Sequence, residues 1–170
     1  MAPVVVFVGA PGAGKTSVGR RVAERLNVEF IDTDQAIESQ SGSSVAEIFI
    51  NEGEPVFRAL ESEIVSRTLK ECSGVVSLGG GAIVSPATRA LVAASTAVWL
   101  QVNLADASQR VGMTGSRPLL LGNVRGTMLK MLEERSPMYA EVADLTVDTS
   151  GRAIRSVVDE VMAWLESRDE

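Results

Sequence analysis

A chain of 170 residues can bury a sizeable core in one domain without a disulfide framework or a structural metal. Its formal net charge of −6 argues against broad nucleic-acid binding, which depends on many basic side chains placed at phosphates. The absence of histidine excludes histidine-based triads, imidazole zinc ligands and histidine general bases.

Cys72 is the only cysteine, so no intramolecular disulfide can form and a reducing compartment is expected. Because it has no histidine partner to activate it, we predict a structural role for this thiol. No signal-peptide pattern opens the chain, and no apolar run reaches transmembrane length. We expect a cytoplasmic protein without membrane or nucleic-acid partners, and a monomer.

Short apolar runs alternate along the chain with segments of helical periodicity. Valine and isoleucine dominate several runs with little alternation, which is typical of strands buried on both faces of a parallel sheet. The alternation predicts an α/β fold, a three-layer sandwich, in a single domain over residues 1–170. The predicted strands are 4–8, 28–31, 75–78, 97–102 and 145–147, and the predicted helices are 15–26, 55–71, 86–94, 105–112 and 152–166.

Residues 7–17 read FVGAPGAGKTS and contain the pattern G-x-x-x-x-G-K-[ST] between an apolar strand and an amphipathic helix. Glycines allow the backbone to turn its N–H groups toward a phosphate, and the helix N-terminus adds positive charge. We expect Lys15 to reach the β- and γ-phosphates and Thr16 to place its hydroxyl on Mg²⁺. The predicted nucleotide-binding residues of this phosphate loop are Gly12, Ala13, Gly14, Lys15, Thr16 and Ser17.

A phosphate loop alone does not identify the class of enzyme. A GTPase would need a guanine-reading N-K-x-D, which is absent, and the D-x-x-G match at 148–151 lies too far downstream to be a switch. An adenylate-type nucleotide kinase would carry a second base-binding site and usually a longer lid. A small-molecule kinase needs a base near an acceptor hydroxyl and local cations for the acceptor.

Two carboxylates, Asp32 and Asp34, stand at the end of the second predicted strand. On an extended backbone they would face the same side, at the sheet edge where α/β proteins bind ligands. Asp32 would then orient Mg²⁺, and Asp34 would accept the proton of an attacking hydroxyl. The spacing leaves an alternative equally open, in which Asp34 is a helix cap before the residues QAIE.

Six motifs follow one another along the chain: the phosphate loop, DTD at 32–34, FR with a later E at 57, 58 and 61, LGGG at 78–81, RPLL at 117–120 and ERSPMY at 134–139. In this order they resemble the shikimate kinase family over residues 4 to 150. The resemblance implies transfer of the γ-phosphoryl group of ATP to the 3-hydroxyl of shikimate, on the path to chorismate and the aromatic amino acids. It also implies Mg²⁺, a lid, and a nucleoside-monophosphate-kinase-like fold with a five-stranded parallel sheet in the order 2-3-1-4-5.

The resemblance assigns the acceptor side of the site within residues 33–61 and beyond. The catalytic aspartate falls on Asp34 and the substrate arginines fall on Arg58 and Arg135, a pair that suits the carboxylate of shikimate. Glu61 lies three residues after Arg58 on the same helical face, where it would aim that guanidinium or form a plain surface ion pair.

Three glycines follow the third predicted strand. Without Cβ atoms they would let backbone N–H groups approach a small ring closely; a flexible turn is the alternative. The resemblance places substrate contact on Gly80, and the predicted substrate-binding set includes its neighbours Gly79 and Gly81.

Residues 112–126 are punctuated by four glycines, and Arg117 and Arg125 are their only charges. This composition suits a lid that closes over ATP and excludes water. The resemblance makes Arg117 the catalytic lid arginine on the transferring phosphoryl group, and it places adenine against Arg110 and Arg152. The loop SGRAIR around Arg152 differs from the common family pattern, in which a proline follows.

Two other functions remain in view. A kinase for another small hydroxy acid, such as gluconate, would share the phosphate loop and the lid but not the combination of DTD, FR and LGGG. A nucleotide-binding module without turnover is the other, and the intact set of Lys15, Thr16, Asp32, Asp34 and Arg117 counts against it.

Overall fold

The computed structural model describes residues 2–114 and 124–169. Its strands are β1 (Val5–Val8), β2 (Phe30–Asp32), β3 (Val75–Ser77), β4 (Ala97–Gln101) and β5 (Leu145–Asp148). Its helices are α1 (Lys15–Leu26), α2 (Thr33–Ser41), α3 (Val45–Glu52), α4 (Glu54–Glu71), α5 (Pro86–Ala93), α6 (Leu104–Thr114), α7 (Val124–Val142) and α8 (Ile154–Arg168), with a short 3₁₀ turn at Ala82–Val84. No helix within these ranges has the length and apolar composition of a membrane span.

The strands form one parallel sheet in the order β2-β3-β1-β4-β5, as the resemblance implies. β1 is first in the chain but central in the sheet, with β3 on one side and β4 on the other. The strand order therefore reverses at β1, and the crevice outside its carboxyl end is where such sheets bind ligands. The phosphate loop leaves the sheet at this point.

Helices cover both faces of the sheet, which confirms the three-layer fold. Successive side chains of β1 point to opposite faces, so Val5 and Phe7 pack against α1 and α8, while Val6 and Val8 pack on the side of α4, α5 and α7. All four are buried. This two-sided burial explains why the sequence of β1 shows no polar alternation.

A third hydrophobic cluster lies among α2, α3 and α4, distinct from the two clusters on the sheet. It consists of Ile37, Val45, Ile48, Phe57 and Ile64. These helices carry Asp34, Arg58 and Glu61, so this cluster is the local support of the predicted acceptor side.

Three of the observed helices, α2, α3 and α7, are absent from the sequence prediction, and β2 runs to Asp32 rather than ending at 31. In α7, Gly126 and Pro137 read as helix breakers, yet Pro137 lies inside the helix. Tertiary packing outweighs this local signal, because Met128, Tyr139 and Val142 are all buried against the sheet layers. The remaining predicted helices match observed ones to within two residues at each end.

Truncating the third cluster should destabilise the fold in a way that a matched surface change does not. Ile48 and Ile50 lie on the same helix, but Ile48 is 1% exposed and Ile50 is 72% exposed. We expect Ile48→Ala to lower the free energy of unfolding by about 2–5 kcal/mol through lost burial and a cavity. Ile50→Ala should stay within about 0.5 kcal/mol of the parent. Urea unfolding measures both, and equal losses would contradict the assignment of this cluster.

Candidate functional site

The phosphate loop connects β1 to α1 in a conformation that depends on glycine. Gly9, Gly12 and Gly14 have φ angles of 153°, 84° and 93°. A Cβ on Gly9 would also stand 2.5 Å from the carbonyl oxygen of Leu100 at the end of β4. Gly14 is the N-cap of α1 and has no side chain to accept hydrogen bonds from the helix. The first N–H groups of α1 can therefore donate to an anion.

Lys15, Thr16 and Asp32 come together at this loop, as the sequence predicts. The Lys15 ammonium is buried and donates to the carbonyl oxygens of Gly9 at 2.8 Å and Ala10 at 2.9 Å. The Thr16 hydroxyl donates to Asp32 Oδ2 at 2.6 Å. A hydroxyl oxygen and a carboxylate oxygen in contact are ligands that suit Mg²⁺, which takes few protein ligands beside phosphate oxygens.

Asp32, rather than Asp34, caps the helix that follows β2. Asp32 Oδ1 accepts the N–H groups of Asp34 at 2.9 Å and Gln35 at 3.2 Å. The expectation of two carboxylates on one extended backbone is therefore wrong, because α2 begins at Thr33 and Asp34 lies in its first turn. The alternative with Asp34 as the cap is wrong as well. The cap fixes the Asp32 carboxylate with its second oxygen on Thr16.

The glycine corner, residues 79–81, is a close-packed junction after β3. A Cβ on Gly79 would stand 2.5 Å from Asp34 Oδ1, and one on Gly80 would stand 2.8 Å from Cδ of Pro11 in the phosphate loop. A Cβ on Gly81 would overlap the guanidinium of Arg58. The absence of three side chains thus brings Asp34, Arg58 and the phosphate loop to one place.

Arg58 and Glu61 form a partly buried ion pair, in which Glu61 is the buried member, not the plain surface pair that the sequence left open. Arg58 Nη1 donates to Glu61 Oε1 at 2.8 Å, and the guanidinium lies over the ring of Phe57. Glu61 is only 3% exposed, and a Cβ on Gly79 would stand 3.2 Å from its Oε2. No described residue donates a hydrogen bond to that oxygen.

Burial raises the pKa of Glu61 above its ordinary value of 4.5. The positive charge and hydrogen bond of Arg58 oppose this shift, the negative charge of Asp34 adds to it, and Arg135 opposes it more weakly. Arg135, half-buried on α7, is therefore close enough to act on the same cluster. The structure groups the Asp34 and Glu61 carboxylates with the Arg58 guanidinium at the glycine corner, and the charge of Arg135 reaches Glu61.

Arg117 lies outside the described residues, together with most of the predicted lid over 112–126. Arg125, at the start of α7, is exposed. The assignment of Arg117 to the transferring phosphoryl group accordingly stays a prediction from the sequence.

Arg110 and Arg152 both line a cleft of about 210 Å³ beside the phosphate loop. Arg110 Nη1 donates to the carbonyl oxygen of Gly12 at 2.8 Å, and Arg152 is held by Glu160 at 3.0 Å and by Ser156 at 2.9 Å. These contacts orient both guanidinium groups. The other lining residues are Ala13, Gly14, Ser17, Val18, Thr149, Ile154 and Val157.

Sequence reasoning missed two residues that hold the glycine corner. The N–H of Gly79 donates to the Thr33 hydroxyl at 3.1 Å. This N–H group is therefore not available to a substrate, although the sequence analysis places Gly79 in the substrate-binding set. The Tyr139 hydroxyl donates to the carbonyl oxygen of Gly80 at 2.6 Å. Both residues stand inside quoted motifs, DTD and ERSPMY, but no local pattern shows that they meet residues 46 and 59 positions away.

Known proteins similar to this chain point in one direction. A family model described as shikimate kinase matches residues 11–166. A shikimate kinase of Salinispora arenicola is 50% identical over 165 residues, which cover 97% of this chain and 99% of that protein. A shikimate kinase of Thermobifida fusca is 52% identical over 148 residues, 87% of this chain and 86% of that protein.

Solved structures give the same result. A shikimate kinase from Acinetobacter baumannii in complex with shikimate superposes with a TM-score of 0.92 at 33% identity, covering 96% of this chain and 93% of that one. A gluconokinase from Sinorhizobium meliloti reaches a TM-score of 0.60 at 21% identity, covering 96% and 91%, which is a likeness of fold alone. With its sequence matched over nearly its whole length, the chain belongs to the shikimate kinase family.

Proposed function

We propose that this chain phosphorylates the 3-hydroxyl of shikimate, giving shikimate 3-phosphate and ADP. ATP as the co-substrate follows from family membership. The observation that carries the choice of acceptor is the meeting of Asp34, Arg58 and Glu61 at the glycine corner, which itself contacts Pro11 of the phosphate loop. A monomeric state and a cytoplasmic location stay predictions from the sequence.

On the nucleotide side, the phosphate loop would bind the β- and γ-phosphates through its backbone N–H groups and the N-terminus of α1. Lys15 would exchange carbonyl contacts for phosphate oxygens, since its ammonium already lies across the loop. Arg110 and Arg152 would flank the adenine in their shared cleft.

The residues present fit a magnesium ion. Thr16 and Asp32 would hold it, because their oxygens already meet and the cap fixes the Asp32 carboxylate. A bound Mg²⁺ would neutralise charge that develops on the phosphates.

On the acceptor side, Arg58 and Arg135 would bind the carboxylate of shikimate, and Asp34 would accept a hydrogen bond from the reacting hydroxyl. Phosphoryl transfer depends mostly on positioning and charge stabilisation, so the orientation of the hydroxyl toward the γ-phosphate is the main task of Asp34. Glu61 would hold Arg58 in place through its 2.8 Å ion pair.

A coupled assay of ADP release tests the proposed function directly. Shikimate, gluconate and a nucleoside monophosphate are supplied side by side, each with and without a chelator of Mg²⁺. We expect turnover that depends on Mg²⁺ with shikimate, and no turnover with gluconate or the nucleoside monophosphate. Turnover with gluconate and none with shikimate would replace this proposal with the gluconate alternative.

Replacing the acceptor carboxylate should stop turnover without affecting nucleotide binding. We expect Asp34→Asn to lower kcat on the order of 10²–10⁴-fold, because the amide cannot accept the proton. The Kd for ATP, measured by calorimetry, should be unchanged. Asp159→Asn makes the same chemical change at an exposed position of α8 and serves as the control. Parent-level kcat in Asp34→Asn would remove its assigned role.

We expect the Glu61 carboxylate to lower the stability of the fold when it is charged and to orient Arg58. Measurements at two pH values separate the two effects. Because the pKa of Glu61 is raised in the folded chain, its stabilising contribution is complete below about pH 4.5 and is lost as pH rises through the raised value. Glu61→Gln lacks this loss, so its stability relative to the parent should be more favourable at pH 7 than at pH 4. At the same time the KM for shikimate should rise, since a neutral amide holds Arg58 less firmly.

Urea unfolding at both pH values and initial-rate kinetics measure the two effects. Glu63→Gln, on the exposed side of the same helix, is the matched control and should show neither. A stability difference independent of pH would contradict the raised pKa of Glu61.

A further inference from the structure

Two backbone N–H groups of the glycine corner have no hydrogen-bond acceptor among the residues that the structure describes. The carbonyl oxygen of Gly79 accepts from Ala82 at 3.1 Å, and that of Gly81 accepts from Val84 at 3.2 Å. With Thr33 on the N–H of Gly79 and Tyr139 on the carbonyl of Gly80, only two of the six backbone groups lack a partner among the described residues. They are the N–H groups of Gly80 and Gly81, and both residues are buried. Buried backbone donors are nearly always satisfied, so a bound molecule is their natural acceptor.

Tyr139 controls the direction of one of these two donors. The carbonyl of Gly80 and the N–H of Gly81 belong to a single planar trans peptide, in which they point in opposite directions. A hydroxyl on the carbonyl therefore aims the N–H away from Tyr139 and α7. Between two glycines no Cβ resists rotation of this peptide, so the hydrogen bond itself must hold it.

The Tyr139 side chain is well supported for such a task. It is 1% exposed, and its ring contacts the ring of Trp99 with centroids 5.7 Å apart. Its neighbour Met138 contacts Arg89, which also donates to the carbonyl oxygens of Ile83 at 2.9 Å and Val84 at 3.0 Å. Helices α5 and α7 thus hold the segment after the corner from the same side.

We propose that Tyr139 is a positioning residue for the acceptor substrate, which through the Gly80 carbonyl holds the Gly81 N–H ready to donate to a substrate oxygen. The Arg58 guanidinium packs on Gly81, so the oxygen belongs to an anionic or hydroxyl-bearing acceptor that this arginine also attracts. The same helix carries Arg135 four residues earlier, and residues four apart share a helical face. Helix α7 therefore places one side-chain donor directly and one backbone donor indirectly. The identity of the acceptor, shikimate, rests on the proposed function.

Tyr139→Phe removes the hydroxyl and keeps the ring. We expect the KM for shikimate to rise on the order of tenfold, the scale of one hydrogen bond, with kcat and the KM for ATP little changed. Ser95→Ala is the matched control, because Ser95 donates its hydroxyl to the Leu91 carbonyl at 3.0 Å on α5. It should leave both KM values at the parent level. A rise in both KM values together with a lower unfolding temperature in Tyr139→Phe would show a merely structural role and overturn the proposal.

A second measurement needs no substrate and so separates this proposal from the proposed function. In protein labelled with ¹⁵N-glycine, the amide signals of Gly80 and Gly81 should shift or broaden in Tyr139→Phe, while those of the turn residues Gly42 and Gly151 should not. Unchanged Gly80 and Gly81 signals with an unchanged KM would overturn the role of Tyr139. If the parent failed to phosphorylate shikimate, the proposed function would fall, whereas altered Gly81 signals would still support the tyrosine contact.

Discussion

The absence of Cβ atoms at residues 79–81 is the constraint on which the acceptor side of this site depends. The space that three side chains would fill is taken by the Asp34 carboxylate, the Pro11 ring and the Arg58 guanidinium. These groups come from α2, the phosphate loop and α4, so the corner fixes the nucleotide side and the acceptor side relative to each other. Under the proposed function, the phosphoryl donor and the acceptor would thereby meet in one crevice outside the carboxyl end of β1.

The charges around the corner are arranged for recognition at the expense of stability. The Glu61 carboxylate is buried, and the Asp34 carboxylate and the Arg58 guanidinium are partly buried. Each would be costly alone, and their mutual pairing offsets only part of that cost. The part of this cost that pairing does not offset appears as the raised pKa of Glu61, because burial outweighs the attraction of Arg58. Under the proposed function, an anionic acceptor would meet a guanidinium that Glu61 already holds in place, which would lower the cost of ordering it during binding.

The parts of the fold that follow from short-range rules were predictable. The glycine spacing around Lys15 and the valine-rich runs identified the phosphate loop and the sheet, because each depends on residues close together in sequence. Helix α7 was not predicted, since burial of Met128 and Tyr139 by distant elements overrides Gly126 and Pro137. That Asp32 rather than Asp34 is the helix cap was hidden for a related reason: β2 ends one residue later than predicted and α2 begins directly after it, so Asp34 lies in the first turn of the helix. The contacts of Thr33 and Tyr139 with the corner join positions far apart in the chain, and only the tertiary structure brings them together.

The third hydrophobic cluster, among α2, α3 and α4, shares none of its buried members with the clusters that line the sheet. Substitutions in this cluster alter the packing of the helices that carry Asp34 and Arg58, while the apolar layers around β1 keep their side chains. Under the proposed function, this separation lets the acceptor side change while the packing around the phosphate loop is kept.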